Sequence, residues 1–230
     1  MGIEKIEPKE TALVLIELQN EFMSPGGVLY PAIEKVIKTH KVLENASAAL
    51  KKTREKGVHI IHVPIHFSHN YREIRKDIYG ILKGVVDGKA FKIGTWNTQF
   101  AQPVSPLPNE VIIEGKRGLC GFTTTNLEFV LRQLGVNTVV LAGNLANVCV
   151  ESTMRTAYEK GFNVITLTDC VGATSEEVLE ATVKINYPLY SYPMTHSESS
   201  TFSRERRSKQ RQKPTSENST LYITAKKLKV

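Results

Sequence analysis

Cysteine is scarce in this 230-residue chain: Cys120, Cys149 and Cys170 are the only three. Three thiols cannot all pair, and their spacing does not resemble a disulfide framework, which excludes a small bridge-stapled scaffold. Long apolar runs are missing as well. Nothing approaches membrane-spanning length, and no secretory signal precedes Thr11. Met1-Gly2 lacks the Ser or Thr that N-myristoylation needs at position 6, where Ile6 stands. The expected location is the cytoplasm, with no membrane partner.

Net charge is also lacking where a globular fold is expected. The formal charge is +7, but residues 199–230 hold nine Lys/Arg against two acids, so residues 1–198 are balanced at 21 of each sign. The basic character belongs to the tail. Residues 1–198 read as one domain. From Ser199 to Thr220 the chain is polar, basic and nearly free of large apolar residues, so 199–230 reads as a disordered tail with a weak strand signal at Leu221-Tyr-Ile-Thr. Seven basic residues from Arg204 to Lys226 raise nucleic-acid contact, but a solvated tail is the favoured reading.

What is present centres on Thr138 to Gly161. Thr138 to Ala142 is a β-branched apolar run, as in a buried parallel strand. Gly143 punctuates it, Asn147 is a helix cap, and Val150, Met154, Ala157 and Tyr158 follow at helical spacing until Gly161. Cys149 then falls in the first turn, where unpaired N–H groups and the helix dipole favour thiolate. A buried, inert cysteine is the equally weighted reading of this stretch alone.

The remaining elements alternate. Ala12 to Ile16 is a continuous apolar run that delivers Glu17, Gln19 and Asn20 at its C-terminal end, the edge where parallel sheets bind ligands. The spacing predicts one long amphipathic helix over 32–56, stopped by Gly57, then a strand over 58–65 carrying His59 and His62. Residues 68–109, with the only tryptophan, Trp96, read as a long excursion over the sheet. Strands are expected at 110–114, 162–168 and 189–194. Helices follow at Leu127 to Leu134 and after the capping box Thr174-Ser-Glu-Glu177. This order predicts an α/β protein: a three-layer α/β/α fold with a parallel sheet of about six strands.

Three stretches together resemble the isochorismatase-like cysteine hydrolases. They are Leu15-Ile-Glu-Leu-Gln-Asn-Glu-Phe22, Lys116 with Leu119-Cys120-Gly121-Phe122, and Gly143-Asn-Leu-Ala-Asn-Val-Cys149-Val-Glu-Ser-Thr. The resemblance implies a Rossmann-like topology and a catalytic acid, lysine and cysteine at Glu17, Lys116 and Cys149. Lys116 would then favour the Cys149 thiolate. It further implies a cis peptide at Asn144–Leu145, with the N–H groups of Leu145 and Cys149 as oxyanion donors. Phe22, Trp96 and Phe122 are the pocket residues it suggests. It also implies a homo-oligomer acting on a small molecule without a cofactor. The expected reaction is cleavage of a C–N bond in an amide or ureido compound through a thioester.

Two positions depart from the family pattern. Glu17 stands where Asp is usual and is one methylene longer, so its carboxylate either overshoots the thiol and pairs with Lys116 or folds back. Ala146 stands where many amidase members carry Thr. The alternative is therefore a catalytically silent member serving as an interaction module. Some nicotinamidases of the family hold a metal with one Asp and two His. Here no Asp-x-His occurs between residues 58 and 76, and His66 and His69 lack an identifiable third ligand, so no metal is expected.

Overall fold

The apolar runs fold as buried parallel strands. The computed structural model describes residues 6–199. Among these, six strands form one all-parallel sheet in the order β3-β2-β1-β4-β5-β6. The strands are β1 (Thr11–Ile16), β2 (His59–Val63), β3 (Val111–Ile112), β4 (Thr138–Asn144), β5 (Asn163–Gly172) and β6 (Tyr192–Met194). All six residues of β1 and all seven of β4 are buried, as strands covered on both faces must be.

Side chains alternate across the sheet and so feed two cores. Leu13 and Leu15 pack towards Ile33 and Ile37 of α2 (Tyr30–Thr39) and Ala46 and Leu50 of α3 (Val42–Glu55). Ala12, Val14 and Ile16 pack on the other side, with Leu127 and Leu131 of α5 (Leu127–Gln133) and Met154 and Ala157 of α6 (Glu151–Glu159). A short α1 (Asn20–Met23) follows β1, α4 (Ile81–Asp87) lies in the excursion, and α7 (Glu176–Ala181), α8 (Tyr187–Tyr190) and α9 (His196–Ser199) complete the described chain. No helix among the described residues is long and apolar enough to cross a membrane.

The chain runs outward from β1 to β2 and β3, returns to β4 beside β1, and continues outward to β5 and β6. Strand order therefore reverses between β1 and β4, and a crevice opens at their carboxyl ends. The two strands pair from Thr11↔Thr138 to Ile16↔Gly143. Gly143 has φ +127°, and a Cβ there would lie 1.9 Å from the Ile16 carbonyl oxygen. Only glycine lets β4 come this close at the mouth of the crevice.

Several expectations need correction. The helix over 32–56 is two helices, because Lys41 takes a left-handed conformation (φ 52°) and turns the chain. Asn45 secures the break by donating to the carbonyls of His40 and Asp169, each at 2.9 Å. The strand at 110–114 is ladder-paired only at Val111–Ile112, since it is an edge strand with one neighbour. The strand expected to end at Thr168 runs on to Gly172, past a register shift opposite Leu141/Gly143. Ser175, not Thr174, caps α7, accepting from the Val178 N–H. The Leu221 to Thr224 signal lies outside the described residues.

Candidate active site

Three side chains converge at the carboxyl ends of the central strands. Glu17 directly follows β1 with φ 53°, and its N–H donates to the Val63 carbonyl at 3.1 Å. Lys116 follows β3 across Gly115, whose φ of +88° and tight approach to the Thr124 carbonyl (2.5 Å from a built Cβ) leave no room for a side chain. Its Nζ donates to Glu17 Oε1 and, at 2.6 Å, to the Gly118 carbonyl. Cys149 lies in a wide turn, Ala146–Val150, between β4 and α6. The charges of Glu17 and Lys116 both act on the Cys149 thiol. The Glu17 carboxylate thus pairs with Lys116 beside the buried sulfur. All three groups are at most 5% exposed.

This geometry reverses one sequence expectation. Burial pushes the Cys149 thiol well above its ordinary pKa, and the adjacent Glu17 charge pushes it further. Lys116 and the Leu145 N–H pull it down without compensating. Burial and Glu17 thus favour the thiol, and Lys116 favours the thiolate. For Lys116, burial opposes the charge, but the Glu17 carboxylate outweighs it and raises the pKa, so the ammonium is kept. Glu17 does not fold back: its carboxylate pairs with Lys116.

The turn bearing Cys149 is held from several directions. The Asn144–Leu145 peptide is cis. The buried Asn144 amide donates to Met23 Sδ at 3.0 Å, while its Oδ1 has no partner. Tyr187 donates to the Ala146 carbonyl at 3.0 Å. Thr153 Oγ1 donates to the Cys149 carbonyl at 2.7 Å and accepts the Gly121 N–H at 2.8 Å, which ties the lysine loop to the cysteine turn. Asn147 does not cap the helix. The capping position is Leu145, without a side-chain bond, because the turn is wider than an α-helical one.

Two further buried polar residues act here: Gln19, which the sequence places at this edge, and Glu21, which it does not single out. Gln19 donates to the carbonyls of Ile65 (3.0 Å) and Thr98 (2.8 Å) and accepts the Ile65 N–H (2.9 Å). Glu21 accepts the N–H of Phe91 at 2.7 Å and of Val28 at 2.5 Å, and the Asn97 amide at 3.0 Å. Together they fasten the excursion over 68–109 to the end of β1. The signal available was two long polar residues inside an otherwise buried motif.

The suggested pocket residues separate. Trp96 is half-exposed, and its ring faces Gly26 at this edge of the sheet. Phe22 is buried with its ring edge-on to Phe91, 5.4 Å away. Phe122 is elsewhere: it packs 6.0 Å from Phe162, which opens β5 at the opposite, N-terminal edge, with Lys160 over its ring. The loop after Lys116 descends along α6, which carries Phe122 into the core.

The histidines divide likewise. His62 is buried and bonded to Glu110 at 2.9 Å, and His59 lies 3.1 Å from the Lys9 carbonyl. His66 is half-buried, its pKa lowered by burial and then by Arg117. Among the described residues neither His66 nor His69 belongs to a group of three metal-ligating side chains.

A six-stranded, doubly wound parallel sheet with a buried acid, lysine and cysteine near its switch point defines a three-layer α/β/α class of protein. The isochorismatase domain model matches residues 11–198, so the chain belongs to the isochorismatase-like cysteine hydrolase family. It is 28% identical over 197 residues to the ureidoacrylate amidohydrolase RutB of Acinetobacter baylyi, covering 78% of each chain. In fold it is similar to a cysteine hydrolase from Pseudomonas syringae (TM-score 0.73, 21% identity, 86% and 94% of the two chains). N-carbamoylsarcosine amidase from Thermoplasma acidophilum is similar too (TM-score 0.63, 22% identity, 81% and 96%).

Proposed function

We propose that this protein hydrolyses a C–N bond in a small ureido or carbamoyl compound, with Cys149 as nucleophile, Glu17 as proton carrier and Lys116 as a fixed charge. The observation that carries this reading is the buried Glu17–Lys116 ion pair, whose charges act on the buried Cys149 thiol at the carboxyl ends of the central strands. The similarity to a ureidoacrylate amidohydrolase supports the choice of bond.

The chemistry follows from the protonation states. A thiol is a weak nucleophile, and here it stays protonated until substrate arrives. As the sulfur bonds to the carbonyl carbon, its proton passes to Glu17. The charge moves to the carbonyl oxygen, which the N–H groups of Leu145 and Cys149 would receive. Glu17 then hands the proton to the leaving nitrogen, the C–N bond breaks, and a thioester remains on Cys149. Water attacks the thioester, gives its proton to Glu17, and the thiol is restored. Throughout, the Lys116 ammonium stays paired with Glu17 and offsets negative charge in the buried site.

The test is ammonia release from a panel of primary amides and ureido acids. The native protein should turn over at least one, and Cys149→Ala should lower that rate by about 10⁴-fold while melting within a few degrees of native. A folded native protein with a labelled Cys149 and no turnover on the panel would overturn the reading and leave the silent interaction module standing.

A further inference from the structure

We propose that Asp169, Cys170 and His196 form a site for one divalent transition-metal ion, Zn²⁺ or a similar cation, that clamps α9 to the sheet. One ligand atom from each residue lies within 4.8 Å of the other two. Cys170 Sγ is 3.5 Å from Asp169 Oδ1, and His196 Nδ1 is 2.6 Å from Asp169 Oδ2. The His196 N–H also donates to Asp169 Oδ1 at 2.8 Å, which fixes the histidine's backbone over the site. Thiolate, imidazole and carboxylate are the ligand types that Zn²⁺ takes in its four-coordinate sites. Ligand atoms around one Zn²⁺ stand roughly 3–4 Å apart, so closure needs a contraction of about 1 Å.

The local fold explains how adjacent residues can share an ion. Neighbours in a regular strand point to opposite faces. Asp169 and Cys170 fall in the stretch of β5 where the register shifts between Leu141 and Gly143. That shift brings the Cys170 sulfur to the Asp169 carboxylate. Cys170 belongs to the core beneath α2 and α3, whereas Cys149 belongs to the core on the other face, so the hydrolase centre is not borrowed.

Access and charge are also provided. Asp169 lines a groove of about 470 Å³ together with His40, Glu176 and Glu180. Glu176 bonds to His40 through Oε2 at 2.6 Å, and its buried Oε1 has no partner. Lys184 is the one cation on this wall among the described residues, and Glu180 holds it. This acidic wall borders the site at Asp169, while Cys170 is buried behind it. As the metal–sulfur bond forms, the Cys170 proton leaves to solvent, and His196 ligates through an unprotonated Nδ1 with its ring proton on Nε2. Because binding releases the thiol proton, it should strengthen as pH rises.

The experiment is a Co²⁺ titration of the full chain after chelator treatment, read by the thiolate-to-cobalt charge-transfer band. One equivalent should saturate the band in the native protein and in Cys149→Ser. Cys170→Ser should lose the band. His196→Ala, at a partly exposed residue on the terminal helix, should bind roughly tenfold or more weakly and should lose the Zn²⁺-dependent rise in Tm. No stoichiometric band in the native protein overturns the proposal. So does a band that survives in Cys170→Ser or vanishes in Cys149→Ser. If Cys170→Ser fails to fold, His196→Ala decides: native-like affinity and a native-like Zn²⁺ effect on Tm would sink the site.

Discussion

Glu17 and Glu110 are both buried carboxylates beside a cation, and they have been put to opposite uses. Glu110 accepts two bonds from Arg54 (2.6 and 2.9 Å), one from His62 (2.9 Å) and one from the Leu107 N–H (2.9 Å). Burial works against its charge, but these donors outweigh it and hold the carboxyl down at about 2. Such a group is locked as an anion. It ties α3, β2 and the loop before β3 together. Glu17 pairs with one ammonium, and its charge acts on a buried thiol. That thiol carries a transferable proton. The number and kind of donors around a carboxylate, more than its burial, separate a fastener from a proton carrier.

Glu17→Gln should break the comparison most severely. An amide cannot take the thiol proton, so turnover should fall by about 10²–10⁴-fold. With the carboxylate charge gone, the Cys149 pKa should drop, and iodoacetamide should label the variant faster than native protein near neutral pH. Unchanged labelling would mean that burial alone holds the thiol protonated. The same change strands the Lys116 charge with the Gly118 carbonyl, so a thermal melt must accompany the kinetics; a loss of about 3–5 kcal/mol is expected.

Glu17→Asp sharpens it. The native carboxylate already pairs with Lys116, so removing one methylene should withdraw it from that partner. The expected loss is about 10- to 100-fold in turnover, measured on whichever substrate the native chain accepts. A gain of tenfold or more would instead mark the native acid as misplaced.

Glu110→Gln should have the smallest effect on turnover and a clear one on stability. Rates should stay within about twofold, while stability falls by roughly 1.5–3 kcal/mol as charge-assisted bonds are lost. The pH dependence gives the sign. The Glu110 carboxyl is depressed from 4.5 to about 2, so its contribution is complete above about pH 4.5 and disappears as pH falls towards 2. The difference in Tm between native and variant should therefore close over that interval. A constant difference across it would show that Glu110 acts by shape rather than charge.

Much of this architecture was legible in the residues. Continuous apolar runs such as Ala12 to Ile16 mark strands covered on both faces, and the strand-helix alternation dictates a parallel sheet with its reactive ends together. The positions of Glu17, Lys116 and Cys149 after three different strands brought them to one edge by topology alone. Less legible was where a helix stops when no glycine or proline says so. Ile33, Val36, Ile37, Leu43, Ala46 and Leu50 read as one periodic stripe, yet Lys41 breaks it with a left-handed backbone (φ 52°).

The sequence by itself determined which residues face inward and that the strands run parallel, and the resemblance of three motifs pointed to the three side chains at the switch point. The first two follow from periodicity and strand-helix alternation, which are local. The tertiary structure alone decided what those side chains do to one another. A helix terminus and a lysine nearby argued for thiolate at Cys149, but burial and the Glu17 charge reverse the sign. Phe122 belongs to a pocket motif by resemblance, yet its loop descends along α6 to Phe162. Asp169, Cys170 and His196 are unremarkable in sequence and adjacent only through a register shift in β5. Protonation and ligation depend on distances of a few ångströms between residues far apart in the chain, and no pattern along the chain encodes those distances.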